Sequence, residues 1–154
     1  GYSRAEIGVI WSIGVIAEIL IFLLMYRFLM HFGVRKIILF CLVLGVVRWL
    51  IIGYQIENLI FLVIAQIFHA FTFAAFHAAC IECVRRLFDS RSQGKAQALY
   101  SSCCYGAGGA IGSYTGGLAW GISPVFAFNY AAISTLIAFL LAIFWLKDKE
   151  LAIS

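Results

Sequence analysis

Residues 58–87 constrain the fold more than any other stretch, because they are apolar over a length that crosses a membrane. Ionisable groups in such a helix are costly in lipid, so they must face protein or a wet cavity. At about 100° per residue, four side chains share one stripe of this helix: Gln66, His69, Phe73 and His77. For His77 alone, a hydrogen bond that packs two helices is an equally good interpretation.

The rest of the chain is equally apolar, with 64% hydrophobic and 12% charged residues. A soluble domain could not bury so much apolar surface, so we predict an all-α, polytopic transmembrane helix bundle. An outer-membrane barrel would need short segments of alternating polarity, and the apolar runs here are continuous. The first span follows a capping-box pattern, and the fifth opens at Pro124. The five predicted spans are residues 7–29, 37–54, 59–84, 96–120 and 124–146.

Positive charge is concentrated on one side of this predicted bundle. Of the eleven Lys and Arg residues, nine lie around the first and third connections and the C-terminus: Arg27, Arg35, Lys36, Arg85, Arg86, Arg91, Lys95, Lys147 and Lys149. Cytoplasmic loops carry such an excess, so we predict a cytoplasmic C-terminus with residue 1 outside. The charge is therefore a topology signal, and no nucleic-acid partner is expected. A bacterial inner membrane is the predicted location.

Glu18, Arg48 and His69 lie on three successive spans at similar depth. Glu18 and His69 are each about 18 Å from the outer ends of their spans, counted at the rise of an α-helix. Counting from the cytoplasmic end places Arg48 about 12 Å from the outer face of a layer roughly 30 Å thick. Unpaired charges at that depth are prohibitive, so we expect these three groups to pair with one another.

This constellation has two interpretations. In the functional one it is a proton-coupled substrate site: a buried carboxylate holds a proton near neutral pH, and an approaching guanidinium favours its release. A nearby His then relays the proton or binds substrate. In the structural one it is a static ion pair that holds three helices together.

Two further patterns concern metal binding and packing. His77, Cys80 and Cys83 have metal-like spacing, but on a helix they drift around the cylinder and lack a fourth ligand, so no metal site is predicted. A stripe of small residues at four-residue spacing lets helix backbones approach closely, for static packing, for gating, or for both. Its members are Gly108, Gly112 and Gly116.

Several segments resemble one branch of the major facilitator superfamily, the 3-phenylpropionate permease branch, which is related to lactose permease. They are GYSRAEIG, VVRW, QIFHAFTFAAFH and QALYSS, together with HFGVRK, which resembles a degenerate copy of the superfamily's cytoplasmic loop motif. The resemblance covers nearly the whole chain. It implies helices 8 to 12 of a twelve-helix fold, so residues 1–154 would form part of a C-terminal six-helix bundle. The chain has no initiator Met, and we expect it to be a piece of a longer polypeptide.

The resemblance also implies a coupling network. Lactose permease uses a Glu on helix 8, an Arg on helix 9, and a His and a Glu on helix 10. Arg48 matches that Arg and His69 matches that His. Thr72 stands where the second acidic group of helix 10 would be, and Glu18 lies about one turn from the expected Glu of helix 8.

Taken together, these observations predict a proton-coupled symporter of a small organic solute, working by alternating access. The resemblance suggests an aromatic carboxylic acid as substrate. Enzymatic activity is not expected, because no nucleophile–base pair is evident, and no cofactor is expected beyond the proton. The predicted partners are the lipid bilayer, the solute and the missing N-terminal half. The alternative is a non-transporting receptor or scaffold of the same fold.

The predicted roles divide between two groups of residues. Proton coupling is assigned to Glu18, Arg48 and His69. Substrate contact is assigned to Gln66, His69, Thr72, Phe73 and His77.

Overall fold

The computed structural model describes residues 2–147, and in that part of the chain it contains five long helices and no strand. We number them α1 (Arg4–Phe32), α2 (Val34–Gln55), α3 (Leu59–Leu87), α4 (residues 93–122) and α5 (Pro124–Trp145). The prediction of an all-α fold is confirmed. Residue 1 and Lys149, which entered the orientation prediction, lie outside the described residues.

Four of the five helices, α1, α2, α3 and α5, are long and apolar enough to cross a membrane. The fourth predicted span is also helical but interrupted. In α4 a π-helical segment, Ser102–Ala107, separates the α-helical parts Gln93–Ser101 and Gly108–Ile122. A second π-helical segment, Phe71–Ala75, interrupts α3 between its two histidines. Such segments occur frequently at functional sites, and the extra residue in the turn rotates the helix that follows.

The helix ends follow local sequence signals. Ser3 forms the predicted capping box: its Oγ accepts a hydrogen bond from the backbone N–H of Glu6, and its own N–H donates to the Glu6 carboxylate at 2.7 Å. The helix therefore begins at Arg4, three residues before the predicted start. Gly33 has a φ of 80°, which suits glycine, and it makes the bend between α1 and α2. Ser123 caps α5, with Pro124 in its first turn.

Arg35 fixes the start of α2 to the end of α5. Its guanidinium donates hydrogen bonds to the backbone carbonyls of Leu146 and Ile143, the latter at 3.2 Å. The last carbonyls of a helix have no partner within that helix, and a cation there also interacts favourably with the helix dipole. This contact aligns α2 with α5, along which it packs closely.

Helix backbones approach most closely at three glycines. A Cβ placed on Gly14 would lie 2.9 Å from Gln66 Oε1, one on Gly45 3.0 Å from Thr135 Cγ2, and one on Gly53 3.0 Å from Phe128 Cβ. These positions join α1 to α3, and α2 to α5.

The glycine stripe predicted on α4 makes no such close contact with a neighbouring helix in the described residues. Within residues 2–147, no atom of another helix lies within 4 Å of a Cβ placed on Gly112 or Gly116, and a Cβ on Gly108 meets the carbonyl of Cys103 in its own helix. A packing or gating role for the stripe stays a prediction.

Candidate functional site

A cavity of about 370 Å³ lies between α2, α3 and α5. Its polar lining side chains include Arg48, His69 and Thr72, and most of the remaining wall is apolar or aromatic. Small-molecule sites in proteins commonly have this composition, in which a few polar groups fix the orientation of a ligand held by apolar contacts. Three of the predicted substrate-binding residues, His69, Thr72 and Phe73, line this cavity together with Arg48.

Glu18 and His69 form a direct pair between α1 and α3. Glu18 Oε1 lies 3.0 Å from His69 Nε2, and both side chains are largely shielded, with 17% and 28% of their surface exposed. The His69 ring stacks on Phe73 with ring centroids 5.6 Å apart. The other ring nitrogen, Nδ1, is buried and has no hydrogen-bond partner. A hydrogen bond at this distance needs one proton between Nε2 and Oε1, carried by the imidazole or by the carboxyl group.

The guanidinium of Arg48 contacts a hydroxyl group and an aromatic ring. Its Nη1 donates a long hydrogen bond of 3.5 Å to Thr72 Oγ1, and its Cζ lies 4.3 Å from the centroid of the Trp49 ring, as in a cation–π contact. Its Nε is buried without a hydrogen-bond partner. In the described part of the chain, no carboxylate oxygen lies within 4.0 Å of its guanidinium.

The expected mutual pairing of three charged groups is therefore only partial. Glu18 pairs with His69, whereas Arg48 contacts a hydroxyl and an aromatic face. Thr72 connects the two arrangements, because its hydroxyl donates to the His69 carbonyl at 3.2 Å while accepting from Arg48.

Gln66 and His77 lie outside this cavity. Gln66 lines a separate pocket near the start of α1 with Glu6 and Trp11. His77 Nδ1 is 2.8 Å from the hydroxyl of Tyr105 on α4. The predicted stripe assumed a constant angle per residue, and the π-helical segment of α3 breaks that assumption before His77 is reached.

Two comparisons with known proteins give a match. A family model described as the MFS_1 like family matches residues 1–130. The chain belongs to this family of the major facilitator superfamily. It is also 35% identical over 111 residues to a protein of Escherichia coli (strain K12) named "Probable 3-phenylpropionic acid transporter". No solved structure gives a significant match.

The match to the Escherichia coli protein covers 72% of this chain but 29% of the relative, so the chain spans less than a third of that relative's length. Family membership confirms the resemblance seen in the sequence. Together with the four spanning helices, it makes this chain part of an integral membrane protein of the major facilitator superfamily.

Six lining residues of this MFS_1-like chain were not predicted as site residues: Cys41, Leu42, Gly45, Trp49, Phe76 and Thr135. Trp49 follows Arg48 directly in VVRW, and Phe76 is one of the aromatics between the histidines, so both carried a signal. Thr135 is an isolated threonine of α5, and no sequence pattern marked it as a site residue. Among residues 2–147, no group of three or more His, Cys, Asp or Glu side chains is close enough to hold a metal ion.

Proposed function

We propose that the full-length protein is a proton-coupled symporter of small aromatic carboxylates, working by alternating access. The observation that carries this proposal is Arg48, a guanidinium within an apolar helix bundle. In residues 2–147 no carboxylate lies within 4.0 Å of it, and it lines a cavity beside a Glu–His pair. Ionisable groups in membrane helices usually mark substrate or proton pathways, because retaining them there is costly.

The chemistry of the cavity supports the substrate class. A guanidinium binds a carboxylate with two parallel hydrogen bonds, and the unsatisfied Nε of Arg48 is one of the donors required. Trp49, Phe73 and Phe76 supply aromatic surface around it. An aromatic acid would place its carboxylate on Arg48 and its ring among these side chains. The name of the Escherichia coli relative, a probable 3-phenylpropionic acid transporter, agrees with that arrangement.

The pair Glu18–His69 is proposed as the proton site. Its 3.0 Å contact holds one proton in a partly shielded place, and Thr72 links it to the anion site on Arg48. Binding of a substrate carboxylate would neutralise Arg48 and so change the cost of keeping Glu18 ionised. Coupling then follows as the two bundles rock about a midplane site, the missing N-terminal half supplying the other wall. The proton would be the only coupling ion.

The location belongs to the same proposal. Lys and Arg in the connections favour the bacterial inner membrane with a cytoplasmic C-terminus. Inward proton movement would then drive uptake of the solute.

The test is Glu18→Gln in the full-length protein, reconstituted in proteoliposomes with 3-phenylpropionate as the solute. We expect the variant to lose accumulation driven by a pH gradient while it retains exchange of labelled for unlabelled solute, because the amide cannot release a proton. Glu57→Gln is the matched control, since Glu57 is an exposed residue outside the cavity, and it should accumulate solute normally. Normal accumulation by Glu18→Gln would overturn the coupling assignment.

The alternative, a receptor or scaffold of the same fold, is favoured by the direct Glu18–His69 contact, which could be permanent. Proton movement induced by solute separates the two functions. Parent protein in vesicles should take up protons when 3-phenylpropionate or a related acid is added. No proton movement with any of these acids would favour the scaffold.

A further inference from the structure

A second cavity lies beside the α1–α2 bend, and Cys41 is the one residue in the described part of the chain that lines both this cavity and the proposed transport cavity. The second cavity has a volume of about 350 Å³ and is formed by α1, α2 and α3. Two aromatic pairs make its walls: Phe28 with Phe32, ring centroids 6.3 Å apart, and Phe40 with Phe71, edge to face at 5.9 Å. We call it the α1–α2 groove.

The floor of the α1–α2 groove is tightly packed. Ile37, Cys41 and Ala75 line it, and they are 7%, 1% and 2% exposed. From the rim at Lys36 to Cys41, the groove extends about 7.5 Å along α2 at the helical rise per residue. It is therefore an apolar slot that runs from the bend toward the membrane interior.

One charged side chain, Lys36, lies at its rim. In residues 2–147, Lys36 forms no salt bridge with a carboxylate. The sequence contains no Asp or Glu between Glu18 and Glu57, so the stretch of chain that forms the bend carries only basic charges. Lys36 also lies in the first turn of α2, where the helix dipole favours an anion. The groove thus combines apolar depth with a cation at its mouth.

We propose that the α1–α2 groove binds one anionic phospholipid, with an acyl chain between the aromatic walls and the phosphate on Lys36. The bend joins two membrane spans, so it lies at the membrane surface, where lipid headgroups are. Basic pockets between transmembrane helices bind anionic headgroups in this way. The slot below Lys36 begins at the depth at which an acyl chain leaves its headgroup.

The first experiment measures lipid affinity on the delipidated full-length protein by native mass spectrometry, with phosphatidylglycerol and phosphatidylcholine of identical chains. One lysine near an anionic membrane surface contributes about 1 kcal/mol, which predicts a preference of about fivefold for phosphatidylglycerol. Lys36→Gln should remove this preference and Lys36→Arg should keep it. Lys95→Gln, a basic residue of α4 outside the groove, should bind like the parent. Equal affinity for both lipids in the parent, or an unchanged preference in Lys36→Gln, would overturn the proposal.

The second experiment tests the acyl chain. Phe40 is 53% exposed, so Phe40→Ala removes part of a wall with little disturbance of the core. We expect this variant to bind both lipids at least twofold more weakly while it keeps the preference for phosphatidylglycerol. Inorganic phosphate should not compete with the lipid. Competition by phosphate would instead indicate a simple anion site, and a groove that takes no lipid would indicate that another segment of the full-length protein covers it; either result rejects the proposal.

Discussion

Replacing Gly53 by alanine should separate α2 from α5, because the added methyl group meets an atom that cannot rotate away. A Cβ at position 53 would lie 3.0 Å from Phe128 Cβ and 3.8 Å from its Cγ. Favourable contacts between carbon atoms occur at about 3.5–4.0 Å. The Cβ of Phe128 is fixed to the backbone, so relief requires the two helices to move apart by a few tenths of an ångström.

Two opposing effects determine the size of the change. Overpacking of this kind typically costs about 1–3 kcal/mol. Replacing glycine by alanine within a helix recovers about 0.8–1.0 kcal/mol. We therefore expect Gly53→Ala to lower the free energy of unfolding by about 1 kcal/mol, within a range of about 0–2 kcal/mol. Phe128 stacks on Trp49, and Trp49 lies under Arg48, so KM for an anionic solute should rise as well.

The measurement is reversible unfolding of the full-length protein in mixed micelles, followed by tryptophan fluorescence. Gly121→Ala is the matched control: it is also a glycine of a helix, but no atom of another helix in residues 2–147 lies within 4 Å of its added Cβ. Phe128→Gly removes the opposing atom, so the double variant should be more stable than the sum of the two single changes predicts. If Gly53→Ala matches Gly121→Ala in stability, the packing argument is wrong.

Two further predictions concern the arginines of α2. Arg48→Gln should raise KM for 3-phenylpropionate more than tenfold and affect its neutral amide much less, because a charge-assisted hydrogen bond contributes about 1.5–3 kcal/mol; equal effects in uptake assays on both solutes would argue against an anion site. Arg35→Gln should destabilise the protein by about 1–3 kcal/mol, because the carbonyls of Ile143 and Leu146 lose a donor. Thermal unfolding should show that Arg35→Lys keeps part of that stability. An unchanged unfolding midpoint in Arg35→Gln would show that the hydrogen bonds from Arg35 to the end of α5 are dispensable.

Counting residues from the helix ends predicted which side chains of neighbouring helices lie at one level, because the rise per residue of a helix is nearly constant. The contact between Glu18 and His69 illustrates this: counting from the two helix ends placed both groups at one level, and the structure brings them to 3.0 Å. Rotation about the helix axis was less predictable. The π-helical segment Phe71–Ala75 left no clear signal in the sequence, and His77 beyond it contacts Tyr105 instead of the cavity.

The glycines show a second limit of sequence reasoning. Spacing along one helix shows where a backbone could be approached, but not whether a neighbouring helix is there. Gly45 and Gly53 belong to no short repeat, yet each lies against a side chain of α5. The repeated glycines of α4 face no other helix in the described residues. Close packing depends on both partners, and a one-dimensional pattern describes only one of them.

The separation of Arg48 from Glu18 bears on the choice between transporter and scaffold. A static bundle would be held best by direct contact between the guanidinium and the carboxylate, because each would then satisfy the other in a medium where isolated charges are costly. Instead Glu18 contacts a histidine that can exchange a proton, and Arg48 retains an unsatisfied donor in a cavity. Thr72 connects the two arrangements through hydrogen bonds. An arrangement that only holds helices together gains no stability from an Arg48 donor without a hydrogen-bond partner. A site that alternately binds and releases a carboxylate needs such a donor.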